Sequence, residues 1–256
     1  MLVSLVTATH NSATTVARAL NSVANQTHVE IEHIIVDGAS TDNTLEVVSE
    51  FPHVKQVISE PDKGIYDAIN KGIARANGDI IGILNSDDFY SCSTIISDIV
   101  NKFEQDAKRQ AVYADLDYVD DKDSSVIYRR WRTGRFRRSK FLFGWTIPHP
   151  TLFFRKEVYE KYGLYDTDYH LSGDYEYILR TLFKHRLETA YLPKVAVKMQ
   201  KGGAGNGSMK KRSLAHKEDY DAWKSNDLSP YFFTVTLKPL RKLNQYLAPR
   251  LYRLLK

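Results

Sequence analysis

The residues best suited to chemistry fall in two places. Asn85, Ser86, Asp87 and Asp88 follow a largely apolar run at 80–84, and Asp174 follows Gly173 inside the stretch HLSGDYEYILRTL at 170–182. An adjacent pair of carboxylates repels phosphate unless a divalent cation stands between them. Mg²⁺ or Mn²⁺ does so by taking carboxylate oxygens on one side and phosphate oxygens on the other. The first place therefore reads as a metal-bridged nucleoside-diphosphate site with Asp87 and Asp88 as ligands. The bland alternative is a solvated turn at a strand end. Asp174 on its own residues is either a helix N-terminal charge favoured by the dipole or a general base.

The elements that must position these groups alternate along the first half of the chain. Residues 2–8, 31–37, 54–60 and 79–84 read as strands. Residues 14–26, 40–51, 65–76 and 93–105 read as helices: the first has Val16, Leu20 and Val23 at helical spacing and Ser12 or Thr14 as its cap, and the third has Ile65, Ile69 and Ile73 on one stripe. Such alternation means βαβ units and a parallel sheet. Ligands then bind beyond the carboxyl ends of the strands. Four polar clusters fall there: 9–11, 37–40, 60–64 and 85–88. After about residue 110 the pattern loosens. Residues 111–119 and 125–131 alternate like antiparallel strands, 150–154 is a strand, helices lie near 155–162 and 173–184, and 188–200 is extended. The Gly-rich, polar run at 201–211 reads as a mobile loop, either a lid or a plain linker.

The totals narrow the field. A chain of 256 residues buries a sizeable core. Cys92 is the only cysteine, so no disulfide forms within one chain and a reducing compartment is expected. The opening MLVSLVTATH is too short and polar for a signal peptide, and no apolar run is long enough to span a bilayer. The net charge of +5 is uneven: 129–140 holds seven Lys or Arg, and 228–256 holds six and no acidic residue. No glycine-rich phosphate loop is present, which argues against P-loop and dinucleotide enzymes.

These residues resemble the family 2 glycosyltransferases, which have the GT-A fold: a Rossmann-like, mostly parallel sheet flanked by helices, here with a C-terminal helical appendage. The family's P-T-Y-N segment is here ATHN at 8–11. Its VDDGSTDNT is here VDGASTDNT at 36–44. Its third segment matches EPDKGIYDAINKGI at 60–73, and its D-x-D is here NSDD at 85–88. The likeness is close over 2–90 and looser over 145–185. It implies that Asp37 accepts from a uracil ring, with Thr9 in the wall of the base pocket. It implies that Lys63 and Gly64 approach the nucleotide, that Asn85 bonds the ribose in place of the first Asp, and that Asp87 holds the metal. Asp88 either assists the metal through water or caps the next turn. The resemblance also makes Asp174, with Gly173 beside it, the base that deprotonates an acceptor hydroxyl; Glu176 is the rival. His149 contacts donor or acceptor, or is a buried strand-end histidine. Trp145 stacks on a sugar, or is packed.

The expectation is then an inverting, metal-dependent, non-processive hexosyltransferase. It uses a nucleotide-sugar donor, with UDP favoured, and a lipid-linked glycan acceptor in bacterial surface-polysaccharide synthesis. Residues 1–110 form the donor half, 111–227 the acceptor half of the same domain, and 228–256 a basic amphipathic tail. The tail suits the inner face of an anionic membrane, making the protein cytoplasmic and peripherally bound; alternatively its leucines dock on the protein or on a second copy, giving a homodimer. The other readings are an α/β nucleotidyltransferase, or a nucleic-acid-binding protein using 129–140. A nucleotidyltransferase needs a Gly- and Arg-rich loop after the first strand, and TATHNSATT is not one. A basic run is more often a solvated or lipid-facing surface, so no nucleic-acid partner is expected.

Overall fold

The computed structural model describes residues 1–200, 209–243 and 245–246. Four parallel strands, β1 (Val3–Thr9), β2 (Ile31–Asp37), β3 (Val54–Ser59) and β4 (Ile80–Ile83), lie in the order β3-β2-β1-β4. The sheet continues through β8 (Phe153–Arg155), β6 (Ala111–Val119), β9 (Thr189–Gln200) and β5 (Asp88–Tyr90), with β7 (Ile127–Trp131) beside β6. This second part is mixed: β6 and β9 run parallel, while β8, β5 and β7 pair antiparallel with their neighbours.

Side chains of the central strands alternate between two cores, as the period-2 geometry of a strand requires. Leu5 of β1 joins Val23 of α1 (Val16–Ala24) and Ile99 of α4 (Ile95–Glu104) on one face. Its neighbour Val6 joins Ile34, Val36 and Ile69 of α3 (Ile65–Arg75) on the other. On the first face Ile35 also packs with Val16, Leu20 and Val48 of α2 (Thr44–Ser49). The second face is completed by α5 (Lys156–Tyr162), α6 (Gly173–Ile178, continued as a π-helical turn Leu179–Lys184) and α7 (Met209–Ser225).

Several expectations need correction. Ile65 is 44% exposed; the buried stripe of α3 is Tyr66, Ala68, Ile69, Gly72 and Ile73. At the head of α1 it is the Ser12 carbonyl, not a side-chain cap, that accepts the first helical N–H groups. Residues 149–151 form a 3₁₀ turn, and the strand begins after them. Residues 209–211 belong to α7; the rest of the proposed loop, 201–208, lies outside the described residues. The basic run is not a bare loop either. Arg129 stacks on Tyr118 and Trp131, Arg132 pairs with Asp117, and Arg138 donates to the Phe183 carbonyl.

The tail is partly built into the body. Its helix α8 (Thr234–Arg241) buries Thr234 and Val235, and the Thr234 hydroxyl donates to the Leu142 carbonyl. Contrary to expectation, Lys238 has an acidic partner, Asp219 of α7 at 2.6 Å, and Gln245 accepts from Arg129. Residues 247–256 lie outside the described residues. No described helix is long and apolar enough to cross a membrane.

Candidate active site

In the parallel part of the sheet, Thr9, Asp37 and Ser59 are register neighbours at three adjacent strand ends. The pairing is chemical as well as geometric. Asp37 accepts from Thr9 Oγ1, from Ser59 Oγ and from the Ser40 backbone N–H, each at 2.9 Å, and from Ser40 Oγ at 2.5 Å. Burial works against its charge, but these donors outweigh it and hold the carboxyl below its ordinary range. With four donors on two oxygens and no exposed surface, Asp37 has no lone pair to offer a uracil ring. It ties the strand ends together instead. Thr9, 3% exposed and turned onto Asp37, is likewise a brace rather than a pocket wall.

The loops beyond these ends are cross-tied. Asn11, in the left-handed region at φ 49°, accepts from the Thr41 N–H through Oδ1 and donates its own backbone N–H to Ser40 Oγ. Ala13 N–H donates to Asp42, and Ser12 N–H to Thr44. Ser12 Oγ meets Ser86 Oγ at 3.0 Å, which joins this edge to the NSDD turn. Beyond β3, Lys63 is exposed, and Gly64 has φ 122°, a backbone conformation that favours glycine. The Gly64 N–H donates to Asp62 Oδ1.

In the turn itself, Asn85 Nδ2 donates to Asp88 Oδ2 at 2.8 Å. Asp88 is fully buried and opens β5 opposite Met199 instead of capping a solvated turn. Burial and the charge of Asp87 push its carboxyl well above the usual range, and its Oδ1 is buried without a hydrogen-bond partner among the described residues. Burial also raises Asp87, which stays half-exposed. A cation beside this pair would reverse both upward shifts and give the orphaned oxygen a partner, so the residues fit a divalent ion. No cluster of three or more His, Cys, Asp or Glu with metal-binding geometry forms among the described residues. The remaining ligands would therefore be phosphate oxygens and water, as Mg²⁺ and Mn²⁺ accept.

Asp174 stands in the first turn of α6. Three groups set its place. The Glu218 carboxylate, reaching across from α7, accepts from the backbone N–H groups of His170, Leu171 and Ser172, which lead into the helix. The Tyr66 hydroxyl stands 3.5 Å from Asp174 Oδ1. The Tyr66 ring packs against Gly173. Glu176, the rival base, is spent: it is 5% exposed and held by Arg180 and Asn226. The Arg129 guanidinium lies over the Tyr118 ring. The Tyr118 hydroxyl is raised by burial; the Arg129 cation opposes this, while Asp88, Tyr246 and Asp174 add to it.

Trp145 is 9% exposed, edge-on to Phe136 and Phe141, with its indole N–H on the Thr133 carbonyl. It is packed, and offers no face to a sugar. His149 is also buried. It hydrogen-bonds the Tyr165 hydroxyl at 2.8 Å, and burial lowers its pKa against the pull of Asp174. Tyr165 stacks on Tyr66, so His149 supports the ring that meets Asp174 instead of touching a ligand itself. Glu218, Tyr66, Tyr118 and Arg129 escaped the sequence reading. The only signals were an acidic residue in a helix without an apolar stripe, and aromatics on strand and helix faces that look like core.

Comparison with known proteins agrees with this fold. Residues 4–163 match the family described as "Glycosyl transferase family 2". The chain is 30% identical over 223 residues, 82% of each protein, to a "PGL/p-HBAD biosynthesis glycosyltransferase" of Mycobacterium bovis (strain BCG / Pasteur 1173P2). Among solved structures, S. aureus TarS 1–349 in complex with UDP aligns with a TM-score of 0.66 at 17% identity, covering 90% of this chain and 67% of that one. The mannosyltransferase PcManGT of Pyrobaculum calidifontis, in complex with GDP-Man and Mn²⁺, aligns with a TM-score of 0.66 at 19% identity, covering 92% and 67%. These neighbours have the GT-A fold. A sheet whose strand ends gather the NSDD carboxylates, the family match over most of the chain and the likeness of whole relatives point the same way, and the chain belongs to glycosyl transferase family 2 as a glycosyltransferase.

Proposed function

We propose that the protein is an inverting, divalent-cation-dependent hexosyltransferase. Its donor is a nucleoside diphosphate sugar, UDP-linked by preference, and its acceptor is a hydroxyl of a lipid-linked oligosaccharide in bacterial surface-polysaccharide synthesis. One sugar is added per encounter. Residues 1–110 supply the donor half and 111–227 the acceptor half. The carrying observation is the Asp88 carboxylate beside Asp87 at the sheet's strand-end edge: it is fully buried, one oxygen is held by Asn85, and the other has no hydrogen-bond partner among the described residues.

In this reading Asp174 takes the proton of the acceptor hydroxyl as that oxygen bonds the anomeric carbon and the bond to the diphosphate breaks. Tyr66 and Glu218 hold Asp174 in place. Asp87 and Asp88 would hold Mn²⁺ or Mg²⁺, which when bound neutralises charge on the leaving diphosphate. The outward side of the tail, with Phe232 at 95% exposure beside Tyr231, Leu240, Arg241 and Leu243, faces the anionic inner membrane where lipid-linked acceptors reside.

The test is transfer by Asp174→Asn, which keeps shape but cannot take a proton. Donor binding should persist while transfer falls by roughly 10²–10⁴-fold. A variant that keeps most of its transfer rate removes Asp174 from the role of base.

A further inference from the structure

With Asp37 saturated by its four donors, a nucleotide base must be read by another group. Gly38 stands where the family pattern VDDGSTDNT has its second Asp. A Cβ built on Gly38 would lie 2.3 Å from Asp62 Oδ2 and 3.4 Å from His10 Nδ1. The carboxylate of Asp62 therefore fills the volume that a side chain at 38 would need, and the two are mutually exclusive.

Both bracketing groups are held. The Gly64 N–H fixes Asp62 Oδ1 at 2.8 Å, while Oδ2 lies over Gly38 and has no hydrogen bond among the described residues. His10 Nδ1 meets the Gly38 carbonyl at 2.9 Å, and its Nε2 meets Asn11 Nδ2 at 3.3 Å. Because Asn11 Oδ1 already accepts from the Thr41 N–H, Nδ2 is the donor to Nε2. The proton is then on Nδ1, and the ring is set against the backbone with its edge satisfied. Asp62 is half-buried and His10 exposed, so this corner is open at the strand-end edge where ligands bind.

We infer that Asp62, with the His10 ring beside it, reads the nucleotide base. Its carboxylate takes, from the loop between β3 and α3, the volume of the acidic side chain that the family pattern has at 38 and this chain lacks. An ionised carboxylate only accepts hydrogen bonds, so it selects a base presenting an N–H: N3–H of uracil or thymine, or N1–H with the exocyclic amine of guanine. Cytosine and adenine offer a ring lone pair at that edge and are rejected. This rests on the nucleotide-sugar reading above and adds the base class to it.

Binding of UDP, GDP, CDP and ADP to the full chain with Mn²⁺ by calorimetry tests it, with UMP and GMP in EDTA as a readout free of the metal. The wild-type protein should bind UDP or GDP and discriminate against CDP and ADP. Asp62→Asn keeps an acceptor for Gly64 but presents an N–H. Its affinity for the preferred nucleotide should fall roughly 10–100-fold, as for a lost charged hydrogen bond, with relative gain for CDP. Gly38→Asp alone should also be impaired by the clash. The double variant G38D/D62G should recover affinity and base preference by returning the carboxylate to position 38. That recovery also separates recognition from a folding defect. Unchanged affinity and rank order in Asp62→Asn, or no recovery in the double variant, overturns the inference while leaving the nucleotide-sugar reading standing. Failure of the wild-type protein to bind any nucleoside diphosphate overturns both.

Discussion

Gly173 and Tyr66 leave no room for a side chain between them: a Cβ on Gly173 would stand 2.8 Å from Cε2 of the Tyr66 ring. Neighbouring ring atoms would be at 2.9 Å, and real Cβ atoms do not approach so closely. Gly173→Ala must therefore move the ring or the head of α6, and Asp174 moves with it. Overpacking of this kind costs about 1–3 kcal/mol. Denaturant unfolding should show that loss, and transfer should fall while donor affinity holds. Tyr66→Phe keeps the ring and loses only the hydroxyl near Asp174, so it should leave stability nearly unchanged. Equal stability of Gly173→Ala and wild type would show that the close approach is absent in solution.

The NSDD pair predicts opposite effects with and without metal. Asp88 is raised well above its usual range by burial and by Asp87. A carboxyl whose folded pKa exceeds its unfolded value stabilises most at acid pH and loses that stability as pH rises through the folded value. Asp88→Asn, which removes the unfavourable charge, should raise the melting temperature of the metal-free protein at pH 7. The same variant, and Asp87→Ala, should abolish the thermal protection given by UDP with Mn²⁺. Full protection of either variant would take the metal away from this pair.

A buried histidine sets a pH limit on stability. His33 of β2 lies between Thr7 Oγ1 at 3.0 Å and His53 Nε2 at 3.1 Å, and burial, then His53, push its pKa down to about 3. The unfolded chain binds this proton near pH 6.5, so stability is complete above that value and falls with acidity until the folded pKa is reached. The slope is at most about 1.4 kcal/mol per pH unit, or about 2 kcal/mol between pH 6.5 and 5. His149 is shifted in the same direction by burial. Unfolding free energies measured at those two pH values should differ by less in His33→Asn than in wild type. An equal difference would mean that His33 is hydrated or charged in the fold.

The tail is best tested by point changes, because α8 is held by Lys238 on Asp219 and by Thr234 on Leu142, and deleting it would strip a face of α7. Phe232, Leu240 and Leu243 are 95%, 56% and 61% exposed, so serine there should leave folding intact. The triple variant should release the protein from anionic liposomes. Added salt should release wild type, since each basic residue near the surface is worth about 1 kcal/mol and is screened. Equal binding to neutral and anionic vesicles would remove the electrostatic part. A change in mass by light scattering instead of in liposome binding would assign the face to a second copy of the chain.

The sequence by itself determined the parallel half of the sheet, its order of elements and the placing of the two acidic segments at a strand end and a helix head. Those features are local. Val16, Leu20 and Val23 declare a helix by their spacing, and the all-buried run of β4 ends in Asn, Ser and Asp as a strand-to-turn junction must. That Asp174 heads a helix was legible in its segment, since Gly-Asp opens a run that carries its own apolar residues, whereas its role as base came only with the family resemblance. What the tertiary structure alone decided is where each carboxylate turns. Asp37 is the end of a strand in any reading. Only the register that sets it between Thr9 and Ser59 shows that its oxygens are consumed. Glu218 sits on a helix whose buried side holds as many acids as apolar residues, Glu218 and Asp219 with Ala222 and Trp223, so no periodicity could announce it. Trp145 looks like a sugar platform until Phe136 and Phe141 close on it. Periodicity reports the partner every residue finds within its own element. The choice between a site residue and a brace depends on contacts between elements far apart in the chain, and that information exists only once the chain has folded.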